Sequence, residues 1–525
     1  MAETVITFGG GINARRRTAD VDPNECVSGS VNFDLDPQYR ALARRNAFDL
    51  VATAPNAASI NGFAQLINPD MSVSTLVQAG DTVYTWDGDQ TFVSVGTAAS
   101  GAKLRGPREH NFTLSDFVII TDLSGLETVK KWDGTTFSDL AHNLGGNFFA
   151  KYCRVYNERA IYANVTSGTA TPHVILGSAI QNAEDLSAGD RPASALGFDA
   201  AWFLPMPDLR PINGLEAAFG AFLVSTERGR LFRLAGNDAT DFTMQEFHVG
   251  SAVVGTEAIK NIGNDVIMGL AGRIESLSGT INFGDVESND VSAEISPLID
   301  KVTGWTIEYD RRGQDVYCFP NNQSAVWVLH KKTLNDPTSQ GLSPWSKWTT
   351  AHPMNFSPQT VMQLINPLDN TDVVYLGDEL GNIYLMEGVG SLDGGTDNIT
   401  VIRRSGLIQI PDTDVFDIRG WITYRKQFAQ TVTIRILYGG KSVYDQEISK
   451  KIPGAEEEGI GFYNSDSYYN DGTTVYNVGF SGRIFKQDWS AAGHSSFFQV
   501  EIEVVAPDPF VIEEVGLEFG TAKDQ

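Results

Sequence analysis

Cysteine is scarce in this 525-residue chain: only Cys26, Cys153 and Cys318 occur, far apart and without CxxC spacing. An odd, scattered set argues against a disulfide framework or a zinc site and suits a reducing cytosol. Basic charge is also short. Lys and Arg number 39 against 65 Asp and Glu, a net charge of −26 that repels nucleic-acid phosphates. No stretch approaches the ~18 consecutive apolar residues of a membrane span, so no membrane insertion is expected. The opening MAETVITFGGG lacks a basic region followed by an apolar run, so no secretion signal is expected and the chain reads as made in a cytoplasm.

Catalytic signatures are missing too. The seven histidines include no HxH or HExxH pair and read as isolated surface or turn residues. There is no GxSxG elbow. Gly9-Gly10-Gly11 lacks the Lys-Ser/Thr of a phosphate loop and reads as a flexible start. A glycoside hydrolase needs two inward carboxylates roughly 5–10 Å apart, and nothing among the acidic residues singles out such a pair. The expectation is no catalytic residue, no metal and no cofactor.

What the chain does have is a repeat. DTVYTWDGDQTFVSV begins at Asp81 and ETVKKWDGTTFSDL at Glu127, with Trp86 and Trp132 46 residues apart. Asp-Gly between β-formers signals a tight two-residue hairpin, and the spacing lies near the ~40–50 residues of a four-stranded propeller blade. Weaker echoes follow: RAIYANV with HVILGSAI, AAFGAFLVSTERGRLFRLAG, DVIMGLAGRIESLSG, DVYCFPNNQSAVWVLH and DVVYLGDELGNIYLMEG. Each pairs two β-rich runs across a Gly, Asn or Asp break. The predicted fold is mainly β, with a degenerate propeller of about seven blades over residues 46–392.

Helix is scarce: one short piece is predicted over Asp36–Arg45, where Asp and Pro make a sound start, and a second near Ser296–Asp300. A Gly/Asp-rich linker at 388–398 precedes strands with clear in–out alternation, VTIRILYG, FFQVEIEVVA and FVIEEVGLEFG. Residues 393–525 therefore read as a separate β-sandwich, and residues 1–45 as an N-terminal arm.

Three features suit binding. Arg15, Arg16 and Arg17, followed by Arg40, Arg44 and Arg45, form a basic cluster that could grip an acidic neighbour or simply be solvated. Tyr463, Tyr468, Tyr469 and Tyr476 lie in a loop rich in Asn, Ser, Asp and Gly, as in binding loops or a long hairpin tip. Trp345 and Trp348 in SPWSKW read as packing between blades.

The opening GGINARRRTADVDPNECVSGSVNFDLDPQYRALARRNAF, the WDG turns, GSAVVGTEAIKNIGNDVIMGLAGRIESLSG leading to SAEISPLID, the SPWSKW phrase and VIRRSGLIQI together resemble the tail hub, or nozzle, protein of short-tailed double-stranded DNA bacteriophages. The resemblance covers nearly the whole chain but lies in layout and short phrases. It implies a structural virion protein of the tail, assembled in the host cytoplasm as a homohexameric ring below an adaptor (head-to-tail connector) ring. DNA would pass through the ring without sequence-specific binding, and tail fibres or spikes would dock outside. Under it, Arg15, Arg16, Arg17, Arg44, Arg45, Tyr463, Tyr468 and Tyr469 become candidate interface residues. The rival readings are a propeller adhesin or lectin and a propeller glycoside hydrolase.

Overall fold

The computed structural model describes residues 2–521 apart from 8–9, 17–19, 37–40, 69, 107–116, 188–198, 219, 237, 250–251, 256, 264, 279–286, 336–341, 389, 410–414, 425–429, 439–445, 453–484, 492–496 and 507–509. Almost every element is a β-strand, and seven four-stranded antiparallel blades follow one another along the described chain. Blade 1 comprises Ile60–Ile67, Val73–Ala79, Thr82–Trp86 and Phe92–Thr97; blade 2 comprises Leu104–Arg105, Val118–Asp122, Lys130–Trp132 and Phe137–Asp139. Blades 3 and 4 are Phe148–Tyr156, Arg159–Ser167, Thr169–Gly177, Trp202–Pro205 and Ile212–Ala218, Ala221–Thr226, Arg230–Ala235, Thr243–Val249. Blades 5 and 6 are Ile259–Asn261, Asp265–Leu270, Arg273–Ser278, Glu287–Asp290 and Trp305–Asp310, Asp315–Pro320, Val326–His330, Trp345–Trp348.

Blade 7 takes Thr360–Ile365, Asp372–Gly377 and Asn382–Gly388 from the end of the propeller and its outer strand, Ala47–Thr53, from the beginning. This exchange closes the ring. The first strand of each blade packs against that of the next, except that Phe148–Tyr156 packs against the second strand of blade 2, Val118–Asp122, and Thr360–Ile365 packs back against Ile60–Ile67. Closure ties the last blade to the first and leaves only the short edges of the outer strands.

The sequence pattern follows from burial. The second strand of blade 6, Asp315–Pro320, is buried at every position, which is why it reads as an apolar run and not as an alternation. Trp86 and Trp132 occupy equivalent ends of third strands and are both buried, Trp86 meeting Tyr375 of blade 7 edge-on at 5.1 Å. The WDG turns differ from the expected two-residue hairpin. Pairing resumes at Trp86–Phe92 and Trp132–Phe137, so the loops span residues 87–91 and 133–136. The aspartates cap these longer loops: Asp133 Oδ1 accepts from the Thr135 and Thr136 amides, and Gly134 takes φ +92°.

Two further sheets form the sandwich. In one, Val511–Thr521 lies between Val415–Tyr424 and the N-terminal strands, with Phe485–Ala491 beyond Val415–Tyr424. The other orders Ile399–Arg404, Phe497–Ala506, Gln430–Tyr438 and Gln446–Ile452, with Ile408–Gln409 beside Phe497–Ala506. Ile422, Val515 and Leu517 of the first meet Ile434, Ile502 and Val504 of the second in one core, which continues into blades 4 to 6 through Leu223, Ile267 and Trp305. The sandwich is therefore not packed as a separate unit.

The arm is part of it. Ala2–Thr7 pairs with Val511–Thr521, and Leu42 and Ala43 pair with Ile512 and Val511. Where a helix was expected over Asp36–Arg45, the described residues are strand: Ala41–Arg44 pairs with Phe33–Asp36, because these residues extend a sheet whose edge buries apolar Phe33, Leu35 and Leu42. The short helix Ser296–Ile299 falls where expected. No helix among the described residues is long and apolar enough to cross a membrane.

Candidate functional site

Three constellations of polar side chains stand out. The first fills the axis of the propeller. Arg105 on the first strand of blade 2 reaches Glu308 of blade 6 at 3.3 Å and Glu257, just before blade 5, at 3.5 Å. Its Nη1 also donates to the Val361 carbonyl of blade 7 at 2.5 Å. Arg154 of blade 3 lies 3.7 Å from Glu257 and 4.0 Å from Glu216 of blade 4, and Lys260 of blade 5 lies 2.5 Å from Glu308. Residues from six blades can meet at these distances only across the central channel. Burial alone would raise the Glu257 carboxyl, but Arg105, Arg154 and Lys260 outweigh it and hold the group below the usual carboxylate range. Three cations and three carboxylates thus neutralise one another where a propeller glycosidase would need carboxylates available to substrate.

The second constellation clamps the arm. Arg45 Nη1 and Nη2 donate to the two carboxylate oxygens of Asp393 at 2.8 and 2.5 Å, with both side chains 1% exposed. Arg45 Nε donates to Asn32 Oδ1, and its remaining donors reach the Asn46 and Thr349 carbonyls. The guanidinium carbon lies 5.0 Å from the Phe356 ring centre and 5.8 Å from that of Trp348. One side chain therefore joins the arm, the exit from blade 6 and the linker. Arg44 is buried as well and donates to the Ser391 carbonyl. Arg44 and Arg45, expected at an interface, are internal: both are buried, and Arg45 finds its counter-ion within the chain.

Arg15 and Arg16 are exposed, as an interface role requires. Arg17 and the loop bearing Tyr463, Tyr468, Tyr469 and Tyr476 lie outside the described residues. Gly10 and Gly11, read as a flexible start, are buried: the Gly11 amide donates to Ser343 O at 2.6 Å and the Ile12 amide to Trp345 O at 2.7 Å. A Cβ on Gly11 would meet Trp345 O at 2.0 Å, so only glycine permits this approach. Beside it, Glu25 accepts from the Ser343 amide and from Asn13, while burial pushes its carboxyl up. Trp345 and Trp348 pack as expected, their indole N–H groups donating to Val291 O and Phe33 O. The three cysteines are free and buried, and burial pushes the Cys26 thiol to about 11.

The third constellation corrects the reading of all the histidines as isolated surface or turn residues. His330 is buried, with Nδ1 3.0 Å from Asp315 Oδ1 and 3.4 Å from Asp34 Oδ1, and Nε2 2.7 Å from Ser346 Oγ. Asp315 and His330 are cross-strand partners in blade 6, whereas Asp34 comes from the arm hairpin. Burial opposes the imidazolium, but Asp315 and then Asp34 raise the His330 pKa above its ordinary value. The Asp315–His330 spacing across a hairpin was a signal available in the sequence; Asp34, some three hundred residues away, was not.

No protein-family model matches the chain, and no curated protein matches it. Solved structures similar to it are β-propellers of varied function. The extracellular domain of a putative one component system from B. thetaiotaomicron is 10% identical, with a TM-score of 0.40, over 77% of this chain and 48% of that one. This chain therefore matches about half the length of that protein. YCF48 bound to D1 peptide is 13% identical over 65% and 95% of the two chains, with a TM-score of 0.40. A catalytically inactive virginiamycin B lyase from Staphylococcus aureus is 9% identical over 64% and 98%, also at 0.40.

Proposed function

We propose that the chain is a structural ring subunit, the tail hub or nozzle of a short-tailed double-stranded DNA phage. In this reading six copies sit below an adaptor ring, continue the DNA ejection channel and dock fibres or spikes outside it. The observation that carries the reading is the way the arm binds propeller and sandwich into one body. It lies in the seam between blade 6 and strand Ile399–Arg404, bonded to Ile402 and Arg404 on one side and to Lys347 and Trp345 on the other. A part that transmits load in a ring needs such a joint, and a freely hinged two-domain enzyme does not. The axial ion pairs support the same reading, because they commit the channel carboxylates to structure. The acidity of the chain suits a conduit wall that offers phosphates nothing to bind. DNA would pass through the ring of subunits and not along the filled axis of each propeller.

Mass photometry of the purified chain, alone and with a candidate adaptor ring, tests this. The expected result is a six-fold species whose formation is impaired by reversing Arg15 and Arg16 to Glu, with unfolding temperature unchanged. A monomer under every condition that binds a glycan array would favour the adhesin reading and overturn the ring.

A further inference from the structure

At the arm hairpin, Asp34 and Asp315 crowd one histidine, His330. The charges of Asp315, Asp34 and Asp310 also act on Glu387, opposed by Arg312, and Lys332 acts on His330. Asp310 is spent on the turn that follows it, accepting from the Arg312 and Gly313 amides. Glu387 is not so placed: its Oε1 is buried without a hydrogen-bond partner, and residue 387 holds the left-handed φ of +55°. A non-glycine residue in that conformation with an unpaired buried carboxylate oxygen is costly unless something rewards it. Burial, then Asp315 and Asp34, push the Glu387 carboxyl well above the usual range.

We propose that Asp34, Asp315 and His330 form a site for one divalent first-row transition ion of the Zn²⁺ or Mn²⁺ type, with Glu387 as the adjoining carboxylate. Nδ1 of His330 and one oxygen of each aspartate lie within 4.8 Å of one another. The two distances from Nδ1, 3.0 and 3.4 Å, are those that ligands at about 2.1 Å from a common ion give at angles of about 90° to 110°. Ser346, buried on the far side of the ring, accepts from Nε2–H in the metal-bound state and so turns the Nδ1 lone pair toward the aspartates. Imidazole with carboxylates selects Zn²⁺ or Mn²⁺ over the all-oxygen sites of Ca²⁺ and Mg²⁺. The Asp34 side chain is 40% exposed, which leaves a path for the ion. The ion would replace the His330 proton and staple the arm hairpin to blade 6, next to blade 7.

The test uses the full chain, stripped with chelator and titrated with Zn²⁺ alone and with Mn²⁺ alone. Metal analysis after gel filtration should find about one equivalent, and the ion should raise the unfolding temperature by linkage. Electron spin-echo modulation of bound Mn²⁺ should show one histidine nitrogen. Asp34→Asn, a part-exposed change that leaves the fold intact, and His330→Gln should each weaken binding about tenfold or more. If His330→Gln does not fold, Asp34→Asn decides. Absence of a stoichiometric equivalent, unchanged binding in Asp34→Asn, or preference for Ca²⁺ or Mg²⁺ would each overturn the proposal and leave the cluster a hydrogen-bonded ion pair.

Discussion

Replacing Asp393 with Ala should release the junction between arm and propeller while leaving distant blades intact. The wild-type carboxylate takes two charge-assisted hydrogen bonds from Arg45, and both groups are withdrawn from water. Removing it strands a guanidinium that keeps only neutral acceptors: Asn32 Oδ1 and the carbonyls of Asn46 and Thr349. Breaking a buried pair in this way costs about 3–5 kcal/mol. At about 1.4 kcal/mol per decade, that is roughly a hundredfold to a few thousandfold in the local opening equilibrium. Native-state hydrogen exchange reads it directly at the Gly394 amide, which donates to Phe48 O across the junction. Exchange there should accelerate by that factor, with blades 2 and 3 unchanged. Arg45→Met should cost a similar amount, and the double variant Arg45→Met/Asp393→Ala should cost less than the sum, because neither change then leaves a lone charge. Strictly additive effects, or an acceleration below about threefold, would refute the clamp, since a mechanism resting on a buried ion pair requires coupling.

Two further outcomes follow from other sites. Glu257 is held below its ordinary pKa of 4.5, so its stabilisation is present above that pH and is lost as pH falls through the depressed value. Glu257→Gln should therefore melt several degrees lower than wild type at pH 7, with the gap closing as the pH falls below 4.5; a gap independent of pH in thermal melts would contradict the ion network. Gly11→Ala forces a Cβ onto Trp345 O and should cost about 1–3 kcal/mol, visible as faster limited proteolysis of the arm. An unchanged cleavage rate would show that the arm is not seated against blade 6.

The blades were legible because their chemistry is local. Runs such as DVVYLG and NIYLMEG are buried strands joined by a turn at Glu379–Gly381, and both run and turn sit within a few residues of each other. The arm was not legible. Its 36–45 segment combines a helix start with Ala, Leu and Arg, good helix formers, yet the described Ala41–Arg44 is a strand, paired with Phe33–Asp36 and with a partner strand that begins at Val511. Local propensity is a weak prior against a sheet edge that buries Phe33 and Leu42 completely. The arginines misled for the same reason. A run of charge reads as surface until its counter-ion is known, and the carboxylate that draws Arg45 inward lies 348 residues away. His330 shows the intermediate case: Asp315 was within reach of a hairpin reading and Asp34 was not.

This placement of the arm constrains how the molecule can assemble. Strand Ala47–Thr53 completes blade 7 only after Asn382–Gly388 exists, and Ala2–Thr7 finds its place only beside Val511–Thr521, near the end of the chain. The first fifty residues therefore wait on the last, and the loop closures involved span most of the sequence, which makes them slow relative to hairpin formation within each blade. Removing residues 1–20 takes away buried Ile6 and Ile12 along with exposed Arg15 and Arg16. Such a truncation would open the core shared by sandwich and propeller, so any loss of ring assembly it caused would not speak to the arginines. Reversal of Arg15 and Arg16 alone separates the two effects, because it changes the surface charge of the arm and leaves its buried residues in place.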